Sequence, residues 1–317
     1  MQADAAPPSA GSPKPPWLKI RLETGEGYQT VRRMMRGLKL HTVCEEARCP
    51  NIYECWGERT ATFMILGDLC TRRCGFCAVT TGRPAAGVDA GEPARVAEAV
   101  AHLGLDHAVI TSVDRDDLPD GGAGHFAAVI RAVRARSPGC EVEVLTPDFR
   151  GVHRPLDLIL PAGPVVFSHN VETVPSLYGA ARPGSRFERS VGLLHDAVLW
   201  RGPAARPLVK TGLMLGLGET RAELGAIFAV LARAGIEILT LGQYLRPTLR
   251  HLPVARYYPP EEFAALKDEA LGFGFRHVEA GPLVRSSYHA RRHARDAAGG
   301  GAEPPAAPAP LPADSAT

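Results

Sequence analysis

A chain of 317 residues, 45% of them hydrophobic, is long enough for one large α/β domain or two small ones and too apolar to be disordered throughout. Its 36 basic and 34 acidic side chains leave a formal net charge of +2, which gives no electrostatic footprint for nucleic acid or a membrane surface as partner. No apolar run reaches the roughly eighteen residues of a spanning helix, and the N-terminus has neither the apolar core of a secretory signal nor the arginine bias of an organellar presequence.

In chain order, residues 1–16 and the stretch from about 295 to 317 are rich in Pro, Ala and Gly or Ser and read as disordered tails. Residues 17–58 form an N-terminal extension with a short helix over Gln29–Arg36 and a cysteine loop turned by Pro50-Asn51. From residue 59 to 294 short apolar runs alternate with helical periodicity. Strands are predicted at 62–67, His107–Val113, Glu141–Thr146, Val165–Glu172, Leu208–Gly216 and Glu237–Leu245. Helices are predicted at Pro93–Leu103, Gly124–Arg136, Arg189–Trp200, Arg221–Ala234 and Pro260–Leu271. Several strands are continuously apolar, as parallel strands covered on both faces are. The fold class is therefore α/β, a partial (β/α)6 barrel of the TIM type, with function at the C-terminal ends of the strands.

Those ends are polar beyond what a scaffold needs. They carry Thr111-Ser-Val-Asp-Arg-Asp-Asp117, Thr146-Pro-Asp148, His169-Asn-Val-Glu172, the run from Lys210 to Glu219, and Gln243-Tyr-Leu-Arg-Pro247. Arg115, Asp116, Asp117 and Asp120 are equally compatible with a solvated turn. Six of the seven cysteines crowd into residues 44–77 as Cys44-x4-Cys49-x5-Cys55 and Cys70-x3-Cys74-x2-Cys77. Such crowding suits metal ligation in a reducing cytoplasm better than disulfides. Three thiolates around an iron–sulfur cube leave one iron open, so two triplets suggest two clusters, each with one position to fill. A zinc site, which favours four protein ligands, is the competing reading, with His41 as a possible fourth ligand in the first triplet. Cys140 stands apart and reads as a small buried hydrophobe.

The second triplet, on a loop straight after the first strand, resembles the signature of the radical S-adenosylmethionine superfamily, and Phe76 matches the aromatic often found beside its last cysteine. With Gly212-Leu-Met-Leu-Gly-Leu-Gly-Glu219, the first triplet and Arg285-Ser-Ser-Tyr288 added, residues 17–294 closely resemble the lipoyl synthase family. The resemblance implies that Cys70, Cys74 and Cys77 hold a [4Fe–4S] cluster that cleaves S-adenosylmethionine to a radical. It implies a second, auxiliary [4Fe–4S] cluster on Cys44, Cys49 and Cys55 with Ser286 as fourth ligand, or failing that Ser287, which gives up two sulfur atoms. Phe76, Asn170, Glu172, Lys210, Gly216 and Gly218 are then expected to contact the cofactor.

The implied substrate is an octanoyl chain on a lysine of a lipoyl carrier domain, sulfur entering at C6 and C8. Implied partners are the acyltransferase subunits of 2-oxo acid dehydrogenases, the glycine-cleavage H protein, a low-potential electron donor such as ferredoxin or flavodoxin, and an iron–sulfur carrier. The rivals are another sulfur-inserting radical enzyme, like biotin synthase or a methylthiotransferase, and a zinc-stapled structural protein.

Overall fold

The computed structural model describes residues 14–299, apart from 21, 58–60, 86, 153, 201 and 203–205. Its strands are β1 (His41–Thr42), β2 (Thr62–Ile65), β3 (Leu69–Cys70), β4 (Thr80–Thr81), β5 (His107–Ser112), β6 (Glu141–Leu145), β7 (Val166–Ser168), β8 (Leu208–Leu215), β9 (Ile238–Gln243) and β10 (His277–Gly281). The helices are α1 (Glu26–Gly37), α2 (Val43–Glu46), α3 (Ile52–Gly57), α4 (Glu92–Leu103), α5 (Ala123–Arg136), α6 (Leu156–Ile159), α7 (Tyr178–Ala181), α8 (Phe187–Leu199), α9 (Arg221–Arg233), α10 (Pro260–Gly272) and α11 (Ala290–Gly299).

The large sheet runs β1-β2-β5-β6-β7-β8-β9-β10, parallel throughout except for β1, which is antiparallel to β2. Among the described residues no pairing joins β10 to β1, so the barrel stays open, as a partial barrel should. The six expected strands are all present. A seventh parallel strand, β10, was not expected. Only Val278 of it is fully buried, and its neighbours His277 and Glu279 break the apolar run that marks the others. The other parallel strands of the large sheet are mostly buried on both faces, as in β2, where Thr62, Phe63, Met64 and Ile65 are all buried, because helices cover the outside and side chains fill the inside.

Helix starts and stops follow the local chemistry. Thr220 caps α9 and Glu223 returns the bond, a reciprocal capping box. Gly104 ends α4 in the left-handed conformation. Of the two expected tails, residues 1–13 and 300–317 lie outside the described residues. Residues 295–299 are not a tail: α11 runs through them, with His293 and Ala297 fully buried. This helix touches β5, β8 and β10, and its Arg291 meets Asp106 at 2.6 Å just before β5 begins. It covers the end of the barrel where the strands start. Its sequence, Ala290-Arg-Arg-His-Ala-Arg-Asp-Ala-Ala298, hides an alanine stripe among charges. No described helix is long and apolar enough to cross a membrane.

Candidate active site

The first triplet is shaped by short-range hydrogen bonds. Thr42 caps α2 by accepting from the Glu45 N–H at 3.3 Å, which fixes the turn carrying Cys44. The Cys49 N–H then donates to the Cys44 carbonyl at 3.1 Å, and the Cys55 N–H to the Asn51 carbonyl at 2.9 Å. Tyr28 of α1 stacks on Tyr53 and leans on the buried Trp56, anchoring α3 around Cys55.

The second triplet is a clamped loop. β3 and β4 pair in parallel, closing its two ends on each other. Arg72, between Cys70 and Cys74, reaches out of the loop as a fork. Its Nε and Nη2 donate to the two carboxylate oxygens of Asp116, both at 2.8 Å, and Nη2 also meets Asp148 at 2.6 Å. The Thr71 N–H and hydroxyl both donate to the Asp114 carbonyl at 2.9 Å. At the far end the His251 imidazole bonds the Cys77 carbonyl at 2.9 Å, its other nitrogen held by Thr248 at 2.8 Å.

The acidic segment after β5 is therefore ordered rather than a solvated turn. Asp116 holds Arg72, Asp117 holds the buried Arg115 in a bidentate pair, and Asp120 accepts from the N–H groups of Gly122 and Gly124 at the start of α5.

Both triplets open on one cavity of about 340 Å³ at the C-terminal ends of the strands. Cys44, Cys49, Cys70, Cys74 and Cys77 line it, as do Phe76, Asn170, Glu172, Ser286 and Ser287. Cys55 faces a second space of about 540 Å³, whose wall also includes Ser287. Burial pushes the Cys44 thiol up to about 12, Cys70 to about 11 and Cys74 to about 12, and it raises Cys49 and Cys77 as well. Five thiols in such surroundings are poor acids by themselves, and a bound cation would favour their thiolates.

Ser286 arrives from β10 by way of Gly281–Val284 and touches Asn170 twice. Asn170 Nδ2 donates to Ser286 Oγ at 2.7 Å, and Ser286 Oγ lies 3.0 Å from Asn170 Oδ1. Gly212 makes that meeting possible, since a Cβ there would lie 2.7 Å from Thr240 Oγ1, 2.9 Å from Asn170 Oδ1 and 3.1 Å from Ser286 Oγ. Glu172 is raised by burial, against Arg182 and Asn170, which lower it.

Three expected contacts fall elsewhere. Lys210 does not line the cavity. It lies two residues before Gly212 on the inward face of β8, fully buried, with its ammonium on Glu143 at 2.9 Å. A charge buried there requires a partner of opposite sign, and Glu143 supplies it. Gly216 and Gly218 also stand outside the cavity wall. Their left-handed φ values of 97° and 121° build a turn whose N–H groups, with that of Leu217, donate to the Glu219 carboxylate. Sequence reasoning missed Arg182 and Arg285. Arg182, from the segment after α7, donates to the Asn170 carbonyl at 2.8 Å. The half-buried Arg285 is pulled down by desolvation, while the neighbouring Cys49 and Glu172 raise it. Arg182 carries no local signal in the sequence, and Arg285 shows there only as the first residue of Arg285-Ser-Ser-Tyr288.

The family model of the radical SAM superfamily matches residues 64–231, and that of the N-terminal domain of lipoyl synthase matches residues 10–49. A lipoyl synthase from Rubrobacter xylanophilus is 57% identical over 284 residues, spanning 90% of this chain and 87% of that one. This chain belongs to the lipoyl synthase family. Relatives of the same name from Koribacter versatilis and Thermus thermophilus are 55% and 54% identical, over 90% and 92% of this chain and 93% and 89% of theirs. Among solved structures, Streptococcus suis SuiB bound to S-adenosylmethionine superposes with a TM-score of 0.53 at 10% identity, covering 74% of this chain and 54% of that one. Methylornithine synthase (PylB) gives 0.51 at 13%, covering 83% and 84%. At such identities these two speak for the fold alone.

As a radical SAM lipoyl synthase family member, the chain uses an iron–sulfur cluster and S-adenosylmethionine. Its donors fit that group. Ligands about 2.3 Å from a zinc ion would sit roughly 3.8 Å from one another. Among the described residues the one group of three His, Cys, Asp or Glu ligand atoms within 4.8 Å of each other is His277, Glu279 and His293. Among the described residues neither cysteine triplet is drawn in that tightly, which leaves room for a group larger than a single zinc ion.

Proposed function

We propose that this chain inserts two sulfur atoms, at C6 and C8, into an octanoyl chain amide-linked to a lysine of a lipoyl carrier domain. The observation that carries this reading is the single cavity into which thiols of both triplets and Ser286 open. In this reading Cys70, Cys74 and Cys77 hold a [4Fe–4S] cluster with S-adenosylmethionine, and Cys44, Cys49, Cys55 and Ser286 hold a second. When bound, the first supplies radical hydrogen abstraction and the second supplies sulfur.

The chain's own residues do the rest. Phe76, Val113, Leu145 and Met214 keep the cavity walls apolar, which excludes water and stray hydrogen donors from an unactivated methylene. Asn170 and Glu172 present polar groups toward the amino and carboxylate end of the cofactor, and Arg182 fixes the Asn170 backbone. A serine oxygen is a hard ligand for iron, so Ser286 suits a cluster that must open rather than one that must last. Lys210 holds the barrel interior beneath, and the Gly216–Gly218 turn shapes the end of β8. Octanoylated acyltransferase subunits or the glycine-cleavage H protein bring the substrate, a ferredoxin or flavodoxin the electrons, and an iron–sulfur carrier the replacement cluster.

Anaerobic reconstitution with iron and sulfide counting, followed by turnover on an octanoyl-lysine peptide, tests the reading. Cys70→Ala abolishes cofactor cleavage. Cys49→Ala retains cleavage and yields no thiolated product. Sulfur insertion by the Cys49 variant would overturn the donor assignment, and wild-type enzyme giving neither a 6- nor an 8-thio product would return the chain to another branch of the superfamily. Ser286→Ala keeps some cleavage and loses insertion; full activity there moves the ligand to Ser287.

A further inference from the structure

At the opposite end of the barrel from Cys70, Cys74 and Cys77, β10 and α11 bring together two imidazoles and a carboxylate that the reaction does not use. His277 and Glu279, two apart on β10, point the same way. His293 reaches them from α11. Glu279 Oε2 lies 3.5 Å from His277 Nε2 and 3.9 Å from His293 Nε2, and the three atoms are all within 4.8 Å of one another. We infer that this floor site binds a zinc-class divalent cation through His277 Nε2, Glu279 Oε2 and His293 Nε2, with a water in the fourth position.

Four observations support a cation rather than an ordinary packing cluster. First, His293 is fully buried and neither of its ring nitrogens has a hydrogen-bond partner, an arrangement native interiors almost always avoid. His277 Nε2 is likewise without a hydrogen-bond partner. Second, the remaining ligand-capable atoms are already engaged in the way metal sites engage them. Asp296 Oδ2 stands 3.5 Å from His277 Nδ1, the outer carboxylate that fixes an imidazole so that Nε2 is free to ligate. Arg292 takes Glu279 Oε1 at 2.9 Å and leaves Oε2.

Third, the spacing is close to what coordination needs: bonds of about 2.0–2.1 Å in a tetrahedron set ligands roughly 3.3 Å apart. Fourth, two of the nearby positive charges are paired, Lys210 with Glu143 and Arg292 with Glu279. Two nitrogens and one oxygen with an open position form a recognised zinc donor set. A cation here would tie α11 to β10, the strand that leads into the Ser286 segment.

The test uses reconstituted holoenzyme, fully loaded with iron so that the cysteines are taken, exposed anaerobically to zinc ions and desalted. Iron and zinc are then counted by mass spectrometry. The expected result is about one zinc per chain above the iron complement, falling roughly tenfold or more in Glu279→Gln and in His277→Asn with iron unchanged. Chelating the zinc lowers the thermal midpoint of the wild type and leaves those two variants unmoved. These variants decide the matter because His293→Ala would also open a hole in a packed floor. No retained zinc in the wild type, or equal zinc in wild type and variants, overturns the site.

Discussion

Replacing Arg72 tests what holds the Cys70–Cys77 loop. In Arg72→Ala, Asp148, whose side chain is fully buried, loses its 2.6 Å partner, and Asp116 loses two bonds of 2.8 Å. Removing one partner of a buried ion pair costs about 3–5 kcal/mol. Asp114 and Asp116 are 21% and 27% exposed and regain part of that from water, so the lower figure, about 3 kcal/mol, is expected. In a chain of this size that lowers the thermal midpoint by about 5 °C. Arg72→Lys keeps the charge but not the fork, and can satisfy one carboxylate at a time, for a loss of about 1.5–3 kcal/mol. The assays are denaturant midpoints of the chain and iron retained per chain after desalting the reconstituted enzyme. Both variants are expected to shed iron faster, Ala more than Lys. A lysine variant with the wild-type midpoint and wild-type iron retention would refute the claim that bidentate geometry, rather than charge, fixes the loop.

Gly212→Ala forces a methyl group onto Thr240, Asn170 and Ser286 at once; a penalty of about 1–3 kcal/mol is expected. The thiolated product formed per cofactor cleaved should fall, and an unchanged ratio would separate the Asn170–Ser286 contact from sulfur insertion. His251→Ala removes the bond to the Cys77 carbonyl, worth about 1 kcal/mol, and should speed iron loss without altering the fold by circular dichroism. His169 is buried between the Thr146 carbonyl and Ser190, and desolvation pushes it down to about 3. The folded form prefers the neutral ring, so its stabilisation is complete above about pH 6.5 and drains away between there and about pH 3, at about 1.4 kcal/mol per pH unit. Denaturation midpoints between pH 7 and 5 should therefore slope less steeply in His169→Gln than in the wild type, and parallel slopes would contradict the burial argument.

The barrel was legible because its strands are continuously apolar and its helices amphipathic, and the cysteine spacing named the chemistry. β10 shows no continuous apolar run because its polar residues His277 and Glu279 lie against α11, the second half of which reads as a tail. Lys210 differs for a related reason. From the sequence it reads as a contact to the cofactor, but Glu143, 67 residues earlier, takes it inside the barrel. Arg182 and Arg285 gain meaning only through Asn170, Glu172 and Cys49, which no local pattern links to them. Periodicity reports which face is buried; it is silent on which buried charges meet.

The contacts across the open side of the barrel bear on how the enzyme is made. Asn51 donates to the Leu283 carbonyl at 2.8 Å, and the Tyr288 hydroxyl to Glu54 at 2.8 Å, pairs separated by 232 and 234 positions in the chain. The loop of Cys44, Cys49 and Cys55 thus leaves the ribosome early, yet its surroundings are completed by residues far downstream. Contacts so distant in sequence form late. A chain ending between residues 253 and 282 would keep Asp116, Asp148 and His251, which hold the Cys70–Cys77 loop, and would lack the partners of Asn51 and Glu54 beside the first triplet. The surroundings of the first triplet are therefore finished later in synthesis than those of the second.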